Sequence, residues 1–190
     1  MEKTQKKKKV KAILLMTKQM TYRRKILLLI SGSLLLRIIL AFVLELGNDE
    51  VYYWTYALYP DLSHFDHPPM VGWMIQLFTL NLALDHELFI RMPSIIFGTI
   101  NTFLIYLIGR AIRDSQTGWY AALLYTASIY AFIIAGTFIL PDTPQLFYWL
   151  ISLYFIFEAF NKSRPERSRK MQLIMAGLAI PGIARLGVFT

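Results

Sequence analysis

The sequence predicts an all-α integral membrane protein, a bundle of about five transmembrane helices with surface helices in its first external loop. Three observations predict it. Hydrophobic residues make up 56% of the 190-residue chain and charged residues only 17%, against about a quarter in a soluble domain. The apolar residues fall in runs near the ~20 that a bilayer requires, separated by short polar knots. The lysines and arginines gather in three clusters between those runs.

The elements follow in order. Ten of the 20 Lys and Arg residues precede residue 26, among them Lys6, Lys7, Lys8 and Lys9. Residues 1–25 read as a basic cytoplasmic tail, partly helical on the lipid surface or partly disordered. Residues 26–46 form the first strong apolar run. It is too long for a signal-peptide core, and no small-residue cleavage site follows, so it reads as a retained span. Further apolar runs cover 68–84, 88–108, 119–140, 143–160 and 171–190.

If every run crossed the membrane, Arg110, Arg113 and the five basic residues of 161–170 would face outward. That breaks the positive-inside rule twice. Laying 68–84 along the outer surface puts 17 of the 20 Lys and Arg residues inside. The other three, Arg37, Arg91 and Arg185, sit in or at the edges of spans. The predicted layout is therefore a tail over 1–25 and a transmembrane part over 26–190, with a first external loop over 47–87. The protein is expected in the cell (inner) membrane, multi-pass, with a cytoplasmic N-terminus.

Composition also excludes. The chain has no cysteine, so disulfides, thiolate zinc sites and cysteine nucleophiles are ruled out. The net charge of +8 is explained by topology and by membrane lipids, with no need for nucleic acid as a partner.

The predicted external loop contains no Lys or Arg. Asp49, Glu50, Asp61, Asp66, Asp85, Glu87 and Asp142 would all share its side of the membrane. In Asn48-Asp49-Glu50-Val51-Tyr52-Tyr53-Trp54, Asn48 can cap a short helix and the two acids favour its positive end. The aromatic residues can form an interfacial belt. Adjacent helical carboxylates point about 100° apart, so one can face a site as base while the other supports the loop. In His64-Phe65-Asp66-His67-Pro68-Pro69 the prolines open a helix, with Asp66 as a cap or paired with His67. In Leu140-Pro141-Asp142-Thr143-Pro144, Asp142 lies at the mouth of two helices. Arg37 stands in the middle of the first span, where a charge is costly. Its bland reading is an ion pair to another span, such as Glu158. Arg91, at the outer start of the second span, could hold a lipid phosphate or anchor among the headgroups.

These motifs, with Arg91-Met92-Pro93-Ser94 and Gly98, carry a resemblance over about residues 26–185. In order and position they resemble the N-terminal membrane part of bacterial polyprenyl-phosphate-dependent glycosyltransferases of GT-C architecture. These are similar to the protein O-mannosyltransferase family (glycosyltransferase family 39) and to the lipid A aminoarabinose transferases. The resemblance implies a GT-C-type helical bundle whose first external loop holds an acidic motif and two helices lying along the membrane. It implies transfer of a sugar from a polyprenyl-phosphate donor to a lipid, glycan or protein acceptor, usually with inversion.

Carried over, Asp49 would be the catalytic acid-base residue, with Glu50 beside it. Asp66, His67, Arg91, Asp142 and Tyr53 would bind substrate. His67 stands where the aminoarabinose transferases have lysine, which leaves the phosphate-binding cation unassigned among Arg91, His67 and a divalent metal. No cofactor is firmly implied. Residues 177–190 end inside an apolar run containing Pro181 and Arg185, which predicts a chain shortened at its C-terminus and inactive alone. The rival reading is a non-catalytic membrane protein, a transporter component or an assembly scaffold.

Overall fold

Every regular element among the described residues is helical, as the apolar periodicity requires. The computed structural model describes residues 2–64, 67, 69–160 and 165–187. The helices are α1 (Glu2–Val43), α2 (Asn48–Leu58), α3 (Met70–Phe78), α4 (Glu87–Ile112), α5 (Ser115–Ala127), α6 (Asp142–Ala159) and α7 (Glu166–Gly187). A short π-helix, Tyr130–Ile134, lies between α5 and α6.

In α1 two predicted elements run together. Tail and first span form one continuous 42-residue helix, about 63 Å long at 1.5 Å per residue. No proline interrupts it, and its basic part is rich in lysine, leucine and methionine, which favour helix. Within it, Met20–Val43 is long and apolar enough to cross a membrane, a stretch that takes in the predicted start at residue 26. α4 is the second described helix that is long and apolar enough to cross. It starts at Glu87 because the preceding His86 caps it, Nδ1 accepting from the backbone N–H of Leu88 at 3.1 Å.

Two expected elements are divided. The run 68–84 yields α3, nine residues long, followed by Leu80, Asn81 and Leu82 at positive φ. Three consecutive left-handed residues other than glycine are unfavourable. Thr79 holds the turn, its Oγ1 accepting from Leu82 N–H at 3.0 Å and its carbonyl from Leu84 N–H at 3.0 Å. The run 119–140 is likewise not one helix. α5 stops at Ala127, Ser128 is extended and the π-helix follows. Neither α2 nor α3, at eleven and nine residues, reaches across the ~30 Å hydrocarbon layer. α7 continues through Pro181 to Gly187, so that proline does not end the helix.

Packing then places the site. α2 buries Tyr53, Tyr56 and Ala57, spaced to lie on one face, against Val71 and Ile75 of α3, Ile90 of α4 and Ile139. Leu104 and Ile108 of α4 pack on Leu150 of α6. Ile26 of α1 packs on Tyr106 and Ala122. Near the middle of α4 its backbone meets the segment after the π-helix: a Cβ on Gly98 would stand 2.7 Å from the Gly136 Cα. Only glycine permits that approach. α6 and α7 pair closely, with Arg169 Nε donating to the Ala159 carbonyl at 3.0 Å.

Candidate active site

The site is built around the C-terminal end of α1. The last carbonyls of a helix have no partner within it. Here Arg91, reaching from α4, supplies one. Its Nη1 donates to the carbonyls of Ala41 at 3.3 Å and Leu44 at 2.6 Å, and its Nη2 to Glu45 at 2.8 Å. The same guanidinium grips Glu50 of α2 with two hydrogen bonds, Nε to Oε1 at 2.7 Å and Nη2 to Oε2 at 2.6 Å.

Glu50 is filled in turn. Its Oε1 accepts from Ile139 N–H at 3.1 Å and its Oε2 from Gly47 N–H at 3.0 Å. All five N–H donors of the guanidinium and about four acceptor sites of the carboxylate are therefore in use. Both residues are buried, Arg91 at 0% and Glu50 at 1% exposure, and Phe138 lies under the guanidinium at 5.2 Å. One buried pair thus ties α1, α2, α4 and the stretch before α6 together.

This arrangement was not visible in the sequence. Glu50 and Arg91 are 41 positions apart, and the sequence alone sets the acid beside Asp49 rather than opposite an arginine. Arg91, expected at a lipid phosphate or among the headgroups, turns inward and has no donor left over. Gly47, not Asn48, is the N-cap of α2, and Asn48 is the first helical residue.

Asp49 differs from its neighbour. It is exposed and accepts no hydrogen bond among the described residues. It sits in the first turn of α2. Tyr52, Tyr53 and Tyr56 follow it at three, four and seven positions, on the same side of the helix. Their rings form an edge-on cluster with centroids 5.3–5.6 Å apart. The His64 ring stacks on Tyr56 at 3.7 Å, and the His67 ring meets Tyr53 edge-on at 5.5 Å. The sequence-predicted Asp66, with Phe65 and Pro68, lies outside the described residues.

Asp142 opens α6 and accepts from the Tyr130 hydroxyl at 2.6 Å. It follows Ile139, which binds Glu50, by three residues, so their Cα atoms are within about 11 Å. Asp49 and Asp142 therefore belong to one end of the bundle. Thr143 completes that end, its Oγ1 lying 3.1 Å from Ser94 Oγ on α4. Among the described residues no three His, Asp or Glu side chains gather as a metal site.

Arg37 corrects another expectation. It makes no ion pair with Glu158. Its Nε, Nη1 and Nη2 have no hydrogen-bond partner among the described residues, although the side chain is 0% exposed. Instead the guanidinium lies over the Phe132 ring at 4.7 Å. A cation–π contact is worth about 2 kcal/mol when desolvated, whereas burying an ion costs several kcal/mol. The contact does not balance the burial.

Residues 66–182 match the protein-family profile described as dolichyl-phosphate-mannose-protein mannosyltransferase. No curated protein and no solved structure matches the chain. The matched stretch holds Arg91 and Asp142 and begins within the predicted external loop. It also agrees with the resemblance drawn from the motifs. Since it covers well over half of the residues, this chain belongs to the dolichyl-phosphate-mannose-protein mannosyltransferase family of membrane glycosyltransferases.

Proposed function

We propose that the protein moves a sugar, of the mannose type, from a polyprenyl-phosphate donor to a lipid, glycan or protein acceptor on the extracytoplasmic face, with inversion. The observation that carries this reading is the contrast between two adjacent acids. Glu50 is closed into the Arg91 pair, while Asp49 is exposed at the N-terminus of α2 with its carboxylate uncommitted. Asp49 is the base. An acceptor hydroxyl attacks the anomeric carbon opposite the phosphate. The carbon–oxygen bond to phosphate breaks, the phosphate leaves with the electron pair, and the hydroxyl proton passes to Asp49.

Glu50 and Arg91 are positioning residues in this reading. They fix the α1–α2 corner, so Asp49 meets the reacting atoms without reorganisation. Tyr53 and His67, ring against ring, and Asp142, held by the Tyr130 hydroxyl, bind substrate in the same reading. An inverting step gives a product whose anomeric configuration is opposite to that of the donor. NMR of the product glycoside checks this, and a retained configuration would contradict single displacement.

The arrangement in the membrane is five spans, with α2 and α3 on the outer surface. The chain has no native cysteine, so a single introduced thiol reports its own side. Leu77, on α3, is 70% exposed. Leu77→Cys is expected to react with a membrane-impermeant maleimide from outside intact cells. Labelling only after the cytoplasmic face is opened would contradict the topology.

A further inference from the structure

We propose that Arg37 is the cation that binds the phosphate of the polyprenyl phosphate, with Phe132 as the ring that the phosphate displaces. The proposal rests on the function proposed above and names the group its donor site requires. A leaving phosphate needs positive charge or donors beside it. The 47–87 stretch supplies no Lys or Arg. Arg91 uses all its donors on Glu50 and the end of α1. Arg37 has every donor unused among the described residues and is fully covered.

Its surroundings suit a phosphate. Arg37 precedes Ala41 by one helical turn, about 6 Å along α1, and Ala41 carries one of the carbonyls that hold Arg91. The two guanidiniums thus occupy one seam between α1 and α4, with Arg37 deeper. Gly98 and Gly136 flank it: a Cβ on either would stand 3.1 Å from the Arg37 Cζ or 2.9 Å from Nη2. The chain leaves side chains off where they would crowd the planar fork that matches phosphate oxygens. Tyr125 and Asn101 lie together beside it, and their polar atoms also have no well-formed hydrogen bond among the described residues.

The cover is an aromatic ring on a π-helix, an element uncommon in proteins and frequent at functional sites. That π-helix is held by wide-turn bonds such as Ala135 N–H to the Tyr130 carbonyl at 2.9 Å. It presents Phe132 to Arg37 and Tyr130 to Asp142. A phosphate arriving at Arg37 therefore moves the element that holds the Asp142 carboxylate.

The test is binding of undecaprenyl phosphate to the purified 190-residue chain in lipid nanodiscs, read by native mass spectrometry. Undecaprenol, phosphatidylglycerol and inorganic phosphate serve as comparators. The expected result is selective binding of undecaprenyl phosphate, weakened about tenfold or more by Arg37→Gln, the loss of one charged contact, and partly kept by Arg37→Lys. Phe132→Leu removes the competing ring and is expected to tighten binding about two- to fivefold. Unchanged binding by Arg37→Gln would overturn the assignment of Arg37 and leave the proposed function standing. Equal binding of undecaprenol by the wild type would overturn both. Equal competition by phosphatidylglycerol or inorganic phosphate would show a general anion site and overturn the donor assignment. Should Arg37→Gln fail to insert, Phe132→Leu decides: unchanged or weaker binding rejects the proposal.

Discussion

Arg91→Gln is expected to destabilise the folded protein by about 3–5 kcal/mol, the typical loss when one member of a buried ion pair is removed. The reason lies in what remains. Glu50 would keep its buried charge with only two backbone donors, from Ile139 and Gly47. The carbonyls of Ala41, Leu44 and Glu45 would lose the guanidinium that caps them. A whole domain has a net stability of about 5–15 kcal/mol, so this single change takes a large share. Thermal unfolding in detergent measures it. Arg91→Lys should recover only part, since an ammonium has three donors and cannot serve two carboxylate oxygens and three carbonyls together. A full recovery by lysine would show that only charge matters at this position.

How much of this was legible before the structure depends on what each element rests on. The helical class was legible because apolar runs and punctuating prolines are local signals. The charge argument set 68–84 apart from the other runs, and the nine residues of α3 are too few to cross a bilayer. The break of 119–140 was not legible. No proline or glycine marks Ser128. The segment turns there, and its Tyr130 hydroxyl reaches Asp142, a partner twelve positions away. The Glu50–Arg91 pair was hidden for the same reason, since pairing across 41 positions leaves no periodic trace. The orphaned Arg37 was flagged by its cost alone. Sequence could say that it needed a partner, and the named candidate, Glu158, does not fill the role.

Asp49→Asn is the second large effect, and its readout is rate rather than stability. Asparagine keeps the shape of aspartate, and Asp49 accepts no hydrogen bond among the described residues that the change would remove. It cannot accept the proton of the attacking hydroxyl. A positioned general base typically contributes 10²–10⁴-fold, so transfer is expected to fall by about that factor with little change in thermal stability. Glu50→Gln should give the reverse profile. It would leave Arg91 short of its anion and lower the amount of folded protein, while the molecules that fold keep Asp49 and turn over. The two neighbouring acids thereby separate into a group that reacts and a group that holds.

The most direct measurement is transfer of radiolabelled sugar from a polyprenyl-phosphate-linked mannose donor. It compares the wild type with Asp49→Asn, in a form of the protein that includes whatever further segments transfer requires, in membranes at matched levels of inserted protein. The account predicts a loss of about a hundredfold or more in the variant, with donor binding retained. Transfer by Asp49→Asn at the wild-type rate would contradict it.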